Sequence, residues 1–61
     1  MKLRYLPVNA WAFLLGDDIK TATVQDIGGF GRFFSSRHEA VYAAEQCGLT
    51  VDKFGRVEAR K

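Results

Sequence analysis

The pattern of apolar and polar positions in the first half of the chain predicts three β-strands. Residues 8–15 (VNAWAFLL) are rich in aromatic and aliphatic side chains, and residues 19–26 (IKTATVQD) alternate threonine with alanine and valine. A glycine and two aspartates separate these runs and favour a turn, so we expect the two strands to form a hairpin. Residues 32–34 (RFF) follow three closely spaced glycines and predict a short third strand.

A helix over residues 37–47 is the most clearly delimited element of the sequence. Ser36 is placed to accept a hydrogen bond from the amide of Glu39, and Glu39 to accept one from the amide of Ser36, as in a capping box. Gly48 suits the left-handed conformation that ends many helices. At about 100° per residue, the side expected to face the sheet is formed mainly by small residues: Ala40, Val41, Ala43, Ala44 and Cys47.

The two ends of the chain contribute further strand-forming segments. Residues 1–7 end in a proline, which indicates an edge strand or an arm because proline cannot donate to a central ladder. Residues 49–51 and 56–58 predict strands, and residues 52–55 (DKFG) fit a type I turn, although one bent strand is an open alternative to a hairpin. Residues 59–61 form a basic tail.

These elements, in β-β-β-α-β order, predict one small α+β domain over residues 1–61. We expect a mainly antiparallel sheet of three to four strands with one α-helix packed on one face. A chain of 61 residues buries only about 60% of its unfolded surface, so the core is small. Domains of this size often gain additional burial against another chain.

Composition and charge exclude several classes of protein. The net charge of +2 at pH 7 permits a nucleic acid or an acidic partner but requires neither. One cysteine and one histidine supply neither a disulfide nor the four ligands of a structural zinc site, and we expect no metal and no cofactor. The longest apolar run, residues 10–15, is too short to cross a bilayer. We therefore expect a cytoplasmic protein that does not bind membranes.

The candidate nucleophiles do not form a catalytic arrangement. Cys47 and His38 are nine positions apart on the predicted helix, which separates them by about 13.5 Å and places them on opposite sides. Ser36 is occupied as the helix cap. The glycines of residues 28–31 lead into a strand rather than a helix, so they lack the helix N-terminus that a phosphate-binding loop uses. We expect neither an enzyme nor a small-molecule substrate.

One segment is similar to a known nucleic-acid-binding motif. GGFGRFF, residues 28–34, resembles the RNP1 motif of RNA-recognition domains through Gly29, Phe30 and Gly31. The predicted order of strand, capped helix and final strand is also similar to the second half of that family. Arg32 stands where the motif has an aromatic residue. The resemblance implies that Phe30 stacks on a base and that Arg32 contacts phosphate.

The main functional prediction comes from counting apolar faces. Residues 11–15 (WAFLL) are apolar on both faces of a strand, whereas one helix covers one face of a sheet. The other face should expose aromatic side chains, unless residues 1–7 fold across it, and exposed apolar patches mark interaction sites. We therefore expect a non-catalytic protein-interaction module that binds a protein partner or a second copy of itself as a homodimer. The expected contact residues are Trp11, Phe13, Phe30, Arg32 and Phe34 on the sheet, with Tyr42 on the outer side of the helix.

The alternative is a small nucleic-acid-binding module that uses the same face. Some small basic domains with three strands and one helix place strands in DNA grooves. The cations available for phosphate contacts are Lys20, Arg32, Lys53 and Arg56. Seven acidic residues are interleaved with nine basic ones, so the sequence contains no contiguous basic block.

Overall fold

Antiparallel pairing connects the strands of the fold. The computed structural model describes residues 1–16, 18 and 20–60. The elements in this part of the chain are β1 (Lys2–Leu6), β2 (Ala10–Leu15), β3 (Thr23–Gln25), α1 (Arg37–Gln46), β4 (Leu49–Val51) and β5 (Val57–Ala59). β1, β2 and β3 form one sheet in that order, and β4 and β5 form a second. The prediction of a small α+β domain with antiparallel strands is confirmed at this level.

The predicted third strand, residues 32–34, does not form. Only Phe34 pairs with β2: its amide donates to the carbonyl of Trp11 at 2.9 Å, and its carbonyl accepts from the Trp11 amide at 2.8 Å. The helix cap at Ser36 follows two residues later, so the chain leaves the sheet after this single pair.

The strand predicted over residues 19–26 is shorter than expected. The amides of residues 21–22 both donate to the carbonyl of Asp18 and hold this stretch in a turn, which leaves only β3 paired with β2. Asp17 and Ile19, predicted in the turn and at the start of the strand, lie outside the described residues, as does Lys61 of the predicted basic tail.

The N-terminal segment is an edge strand and not an arm. β1 pairs with β2 along its whole length, from Lys2 opposite Leu14 to Leu6 opposite Ala10. The turn between them is closed by the amide of Asn9, which donates to the Leu6 carbonyl at 3.1 Å.

β4 and β5 form a hairpin, which answers the question that the sequence left open. The amide of Gly55 donates to the carbonyl of Asp52 at 3.0 Å across the four-residue turn. The Asp52 carboxylate also accepts from the amides of Phe54 and Arg56, each at 2.9 Å. Aspartate thus stabilises the turn from its first position, as the DKFG pattern predicts.

The turn of this hairpin joins the two sheets by pairing with the second edge of β1. The amide of Leu3 donates to the carbonyl of Gly55 at 2.7 Å, and the amide of Val57 donates to the carbonyl of Met1 at 3.1 Å. Gly55 is buried with a φ of 87°, and a Cβ there would lie 2.5 Å from the carbonyl oxygen of Leu3. Glycine is therefore required at this junction.

The helix begins and ends at its predicted caps. Ser36 Oγ accepts from the Glu39 amide at 3.1 Å. The Glu39 carboxylate accepts from the amide and hydroxyl of Ser35 and not, as predicted, from the amide of Ser36. α1 ends at Gln46, and Gly48 follows with a left-handed φ of 79°.

The core forms where the alanine stripe of α1 meets aromatic side chains of the sheet. Phe13 has no exposed surface, and its ring meets that of Phe34 edge to face at 5.9 Å. Alanines let the helix lie close to the sheet, and the two phenylalanines fill the space that the alanines leave. The buried cluster consists of Leu3, Phe13, Ile27, Phe34, Ala40, Ala43 and Ala44.

Three residues predicted to form an exposed binding face lie instead on the helix side of the sheet. Phe13 is fully buried, Phe34 is 8% exposed, and Trp11 is partly buried with its ring edge to face against Tyr5 at 5.4 Å. The prediction that they lie on the face left uncovered by the helix was wrong, because alternation along β2 shows which side chains share a face but not which face the helix covers. Phe13 cannot contact a partner in this fold.

Candidate functional site

The face of the three-stranded sheet opposite α1 is formed by the alternate residues of its strands. Cross-strand pairs place Arg4 beside Ala12, and Leu14 beside Val24, on the side away from the buried cluster. We call this surface the outer face, and it comprises Lys2, Arg4, Leu6, Ala10, Ala12, Leu14 and Val24. Ala12 and Leu14 are buried, whereas the other residues are partly or fully exposed. Phe33 extends the outer face, since it lines one groove together with Leu6 and Val24.

One end of the outer face is an open apolar groove of about 570 Å³. We call it the outer groove, and it is lined by Leu6, Pro7, Val8, Lys20, Val24 and Phe33. Val8 is 68% exposed and Phe33 is 56% exposed. Single exposed apolar side chains are ordinary on protein surfaces, but a concave group of neighbouring ones is typical of a binding surface.

The other end of the outer face is basic. Arg4 lies two residues along β1 from Leu6, or about 7 Å, and Lys2 lies two residues further. Arg56 pairs with Lys2 across the second edge of β1, so it extends the same cross-strand row. The guanidinium of Arg56 is partly neutralised, since its Nε donates to Oδ2 of Asp52 at 2.9 Å.

The turn between β4 and β5 holds two of the cations predicted to contact nucleic acid. Lys53 and Arg56 both lie over the ring of Phe54, at 5.2 and 5.6 Å from its centroid. The hydrogen bond from the Arg56 backbone amide lowers the pKa of the Asp52 carboxyl, against an opposing effect of desolvation, and the Arg56 side chain lowers it further.

The four cations predicted to contact nucleic acid occupy three separate places. Lys20 lies in the outer groove, Arg32 in the loop before α1, and Lys53 and Arg56 in the turn between β4 and β5.

A second groove, of about 450 Å³, brings together three of the predicted contact residues, Phe30, Phe34 and Tyr42. The amide of Phe30 donates to the carbonyl of Ile27 at 2.7 Å and closes a turn that places the Phe30 ring beside α1. Phe30 is 49% exposed and Tyr42 is 56% exposed. We call this the helix groove, and it is lined by Phe30, Phe34, His38, Glu39, Tyr42 and Ala43.

The backbone of the glycine segment differs from what the RNP1 resemblance implies. RNP1 aromatics stack on bases from the surface of a β-sheet. Residues 28–31 form a turn in this structure, and Phe30 lines a groove beside a helix. Phe30 therefore does not lie on a β-strand, which is the position from which the resemblance implies that it stacks on a base.

The titratable side chains of this region do not form a catalytic group with one another in the structure. Glu39 is held by Ser35, and His38 lies at the start of α1 while Cys47 follows its last residue. Cys47 is exposed instead of buried as predicted, with its sulfur against Gly28. Within residues 1–16, 18 and 20–60, no three His, Cys, Asp or Glu side chains converge where a metal ion could bind.

Sequence reasoning missed five of the six residues that line the outer groove, namely Leu6, Pro7, Val8, Val24 and Phe33. A signal for Phe33 was present in the alanine stripe of the helix. Small residues on a helix leave space that large residues of the sheet have to fill. This requirement assigns Phe13 and Phe34 to the helix side and, by alternation, assigns Phe33 to the outer face.

The function has to be inferred from these two grooves and their charges. No protein-family model, curated protein or solved structure matches this chain. Among the described residues, no helix combines the length and the apolar character needed to cross a membrane.

Proposed function

We propose that this protein is a non-catalytic protein-interaction module that binds a partner on the outer face while its helix covers the opposite face. Such a module would act as a small regulator, adaptor or accessory subunit. The observation that carries the proposal is the outer groove, a concave apolar surface to which the described helix contributes no residue.

The energetic basis of the proposal is the apolar surface that the outer groove leaves in contact with water. Val8 and Phe33 each expose more than half of their surface. Complete burial of a side chain of this kind contributes about 1.5–3 kcal/mol. A volume of about 570 Å³ lies within the range of pockets that enclose most of a small ligand, so it suits a few side chains of a partner.

A nucleic-acid-binding module is the second candidate, and the basic end of the outer face favours it. Lys2, Arg4 and Arg56 form a short cationic group that phosphates would approach. Two observations favour a protein partner instead. Binding of single strands relies on aromatic platforms, and Phe33 is the one aromatic residue lining the outer groove. Arg56 is already paired with Asp52.

The test is affinity capture from native extract with three immobilised proteins: wild type, Phe33→Ser and Tyr42→Ser. The two variants are matched, because Phe33 and Tyr42 are both 56% exposed aromatic residues, one in the outer groove and one in the helix groove. Half of each sample is treated with nuclease before the bound proteins are identified by mass spectrometry. Circular dichroism first establishes that the three proteins are equally folded.

The proposal predicts a bound protein that survives nuclease, is retained by Tyr42→Ser and is lost with Phe33→Ser. Binding lost only with Tyr42→Ser would move the site to the helix groove and refute the assignment to the outer face. A signal that disappears after nuclease treatment would favour the nucleic-acid alternative. Sedimentation of the wild type at micromolar concentration tests the homodimer, since self-association through the outer groove would be abolished by Phe33→Ser.

A further inference from the structure

Three cations lie in or beside the outer groove, and one carboxylate, that of Asp18, accepts from the Lys20 backbone amide at 3.0 Å. Lys20 lines the groove itself, and Arg4 and Lys2 project from the adjoining end of the outer face. Asp26, the acidic residue closest in sequence to Val24, follows the last residue of β3 and does not line the groove. An apolar concavity with cations beside it attracts a complementary surface, namely apolar side chains flanked by carboxylates.

We propose that the partner presents an acidic amphipathic segment to the outer face. This inference rests on the proposed function and specifies the chemistry of the partner. Two or three apolar side chains of the segment fill the outer groove. Its carboxylates pair with Lys20 at the groove and with Arg4, which lies about 7 Å from Leu6 along β1.

A second copy of this chain does not fit these charges. A symmetric dimer through the outer face would use the same patch on both subunits. It would therefore bring together two patches of the same net charge, and like charges across an interface weaken association. A polynucleotide would satisfy the cations but would leave the aliphatic walls of the groove, such as Leu6 and Val8, without apolar contacts.

The probe is a pair of synthetic helical peptides that differ only in charge. Both carry leucines at positions i, i+3 and i+7; one carries glutamates beside them, and the other has glutamine in place of each glutamate. A third probe is single-stranded oligothymidine. Binding to the full chain is measured as amide chemical-shift changes by NMR, with attention to Val8, Val24 and Phe33, and dissociation constants are measured at two salt concentrations.

We expect the acidic peptide to shift the amides of the outer groove and to bind more tightly than the glutamine peptide. An exposed ion pair is worth about 0.2–1 kcal/mol, so each pair should tighten binding by up to about fivefold. Arg4→Glu replaces attraction with repulsion, so it should raise the dissociation constant of the acidic peptide about tenfold. The matched control is Arg60→Glu, which makes the same change of charge beyond the end of β5 and should have little effect.

The outcomes separate this inference from the proposed function. If both peptides bind the outer groove equally well, or if Arg60→Glu weakens binding as much as Arg4→Glu, the acidic partner is refuted and the apolar docking site stands. If only oligothymidine shifts these amides, the acidic partner and the protein-docking function are both refuted. If the acidic peptide binds and Phe33→Ser leaves its affinity unchanged, the placement in the outer groove is wrong.

Discussion

Replacing Gly55 with alanine should lower the free energy of unfolding by about 2–5 kcal/mol. The left-handed φ of 87° alone costs a residue with a Cβ about 1–2 kcal/mol. The new Cβ would also lie 2.5 Å from the Leu3 carbonyl oxygen, and the backbone has to move until this distance reaches at least 3.0 Å. A forced shift of this kind costs about 1–3 kcal/mol. It also strains the hydrogen bond from the Leu3 amide to the Gly55 carbonyl.

Gly29→Ala is the matched control for this prediction. Gly29 has the same φ of 87°, but a Cβ there would meet no atom within 4 Å. Gly29→Ala should therefore lower the free energy of unfolding only by the cost of the left-handed conformation, about 1–2 kcal/mol. The difference between the two variants isolates the close approach of the β4–β5 turn to β1.

Urea unfolding followed by the fluorescence of Trp11, the one tryptophan of the chain, measures both variants. A domain of this length has a total stability of about 3–9 kcal/mol, so Gly55→Ala should lose a large part of it. The free energy of unfolding falls by about 1 kcal/mol per molar urea, so the urea midpoint of Gly55→Ala should be lower than that of wild type by about 2 M or more. Equal losses at Gly55 and Gly29, within about 0.5 kcal/mol, would show that the junction between the sheets is not as described.

Three further predictions concern the helix cap, the core and the turn. Ser36→Ala should lower the free energy of unfolding, as measured with urea, by about 1 kcal/mol, because alanine cannot cap the helix. Ser36→Asp should lower it by less, because aspartate can; equal losses in the two variants would contradict the role of Ser36 as the cap. Phe13→Ala should lower the free energy of unfolding by about 3–5 kcal/mol, as measured by urea unfolding, whereas Phe54→Ala, at a side chain 70% exposed, should cost far less. Because the pKa of Asp52 is lowered in the folded state, its ionised form adds stability that is complete above its ordinary pKa of about 3.9 and is lost as the pH falls through the lowered value. The advantage of wild type over Asp52→Asn in the urea midpoint should thus be constant from pH 7 to about 5 and should shrink below about pH 4, and an advantage that stays unchanged from about pH 5 to about pH 3 would refute this linkage.

The features that the sequence predicted correctly are determined by local interactions. The cap at Ser36, the end of the helix before Gly48 and the turn at residues 52–55 each depend on contacts within about five residues. Specific residue types satisfy backbone groups in these places, so a short stretch of sequence contains the necessary information.

The features that the sequence did not predict depend on contacts between distant segments. The helix side of β2 is decided by the packing of Phe13 against alanines more than twenty positions away, and the alternation along β2 is compatible with either side. Residues 32–34 have strand-like composition, yet they leave the sheet after one pair because the helix cap follows immediately. The alternation by itself therefore does not locate the outer groove, because that also requires the side of the sheet that the alanine stripe covers.

The pairing of Leu3 with Gly55 leads to an expectation about the order in which the molecule assembles. The β1–β2 and β4–β5 hairpins close over a few residues each and form on the microsecond scale. The contact that joins them connects segments about fifty residues apart, so its loop-closure entropy is larger and it gains stability only after both hairpins exist. It should be the last contact made during folding and the first one broken, and the earliest opening of the native protein should separate two intact hairpins rather than fray either one.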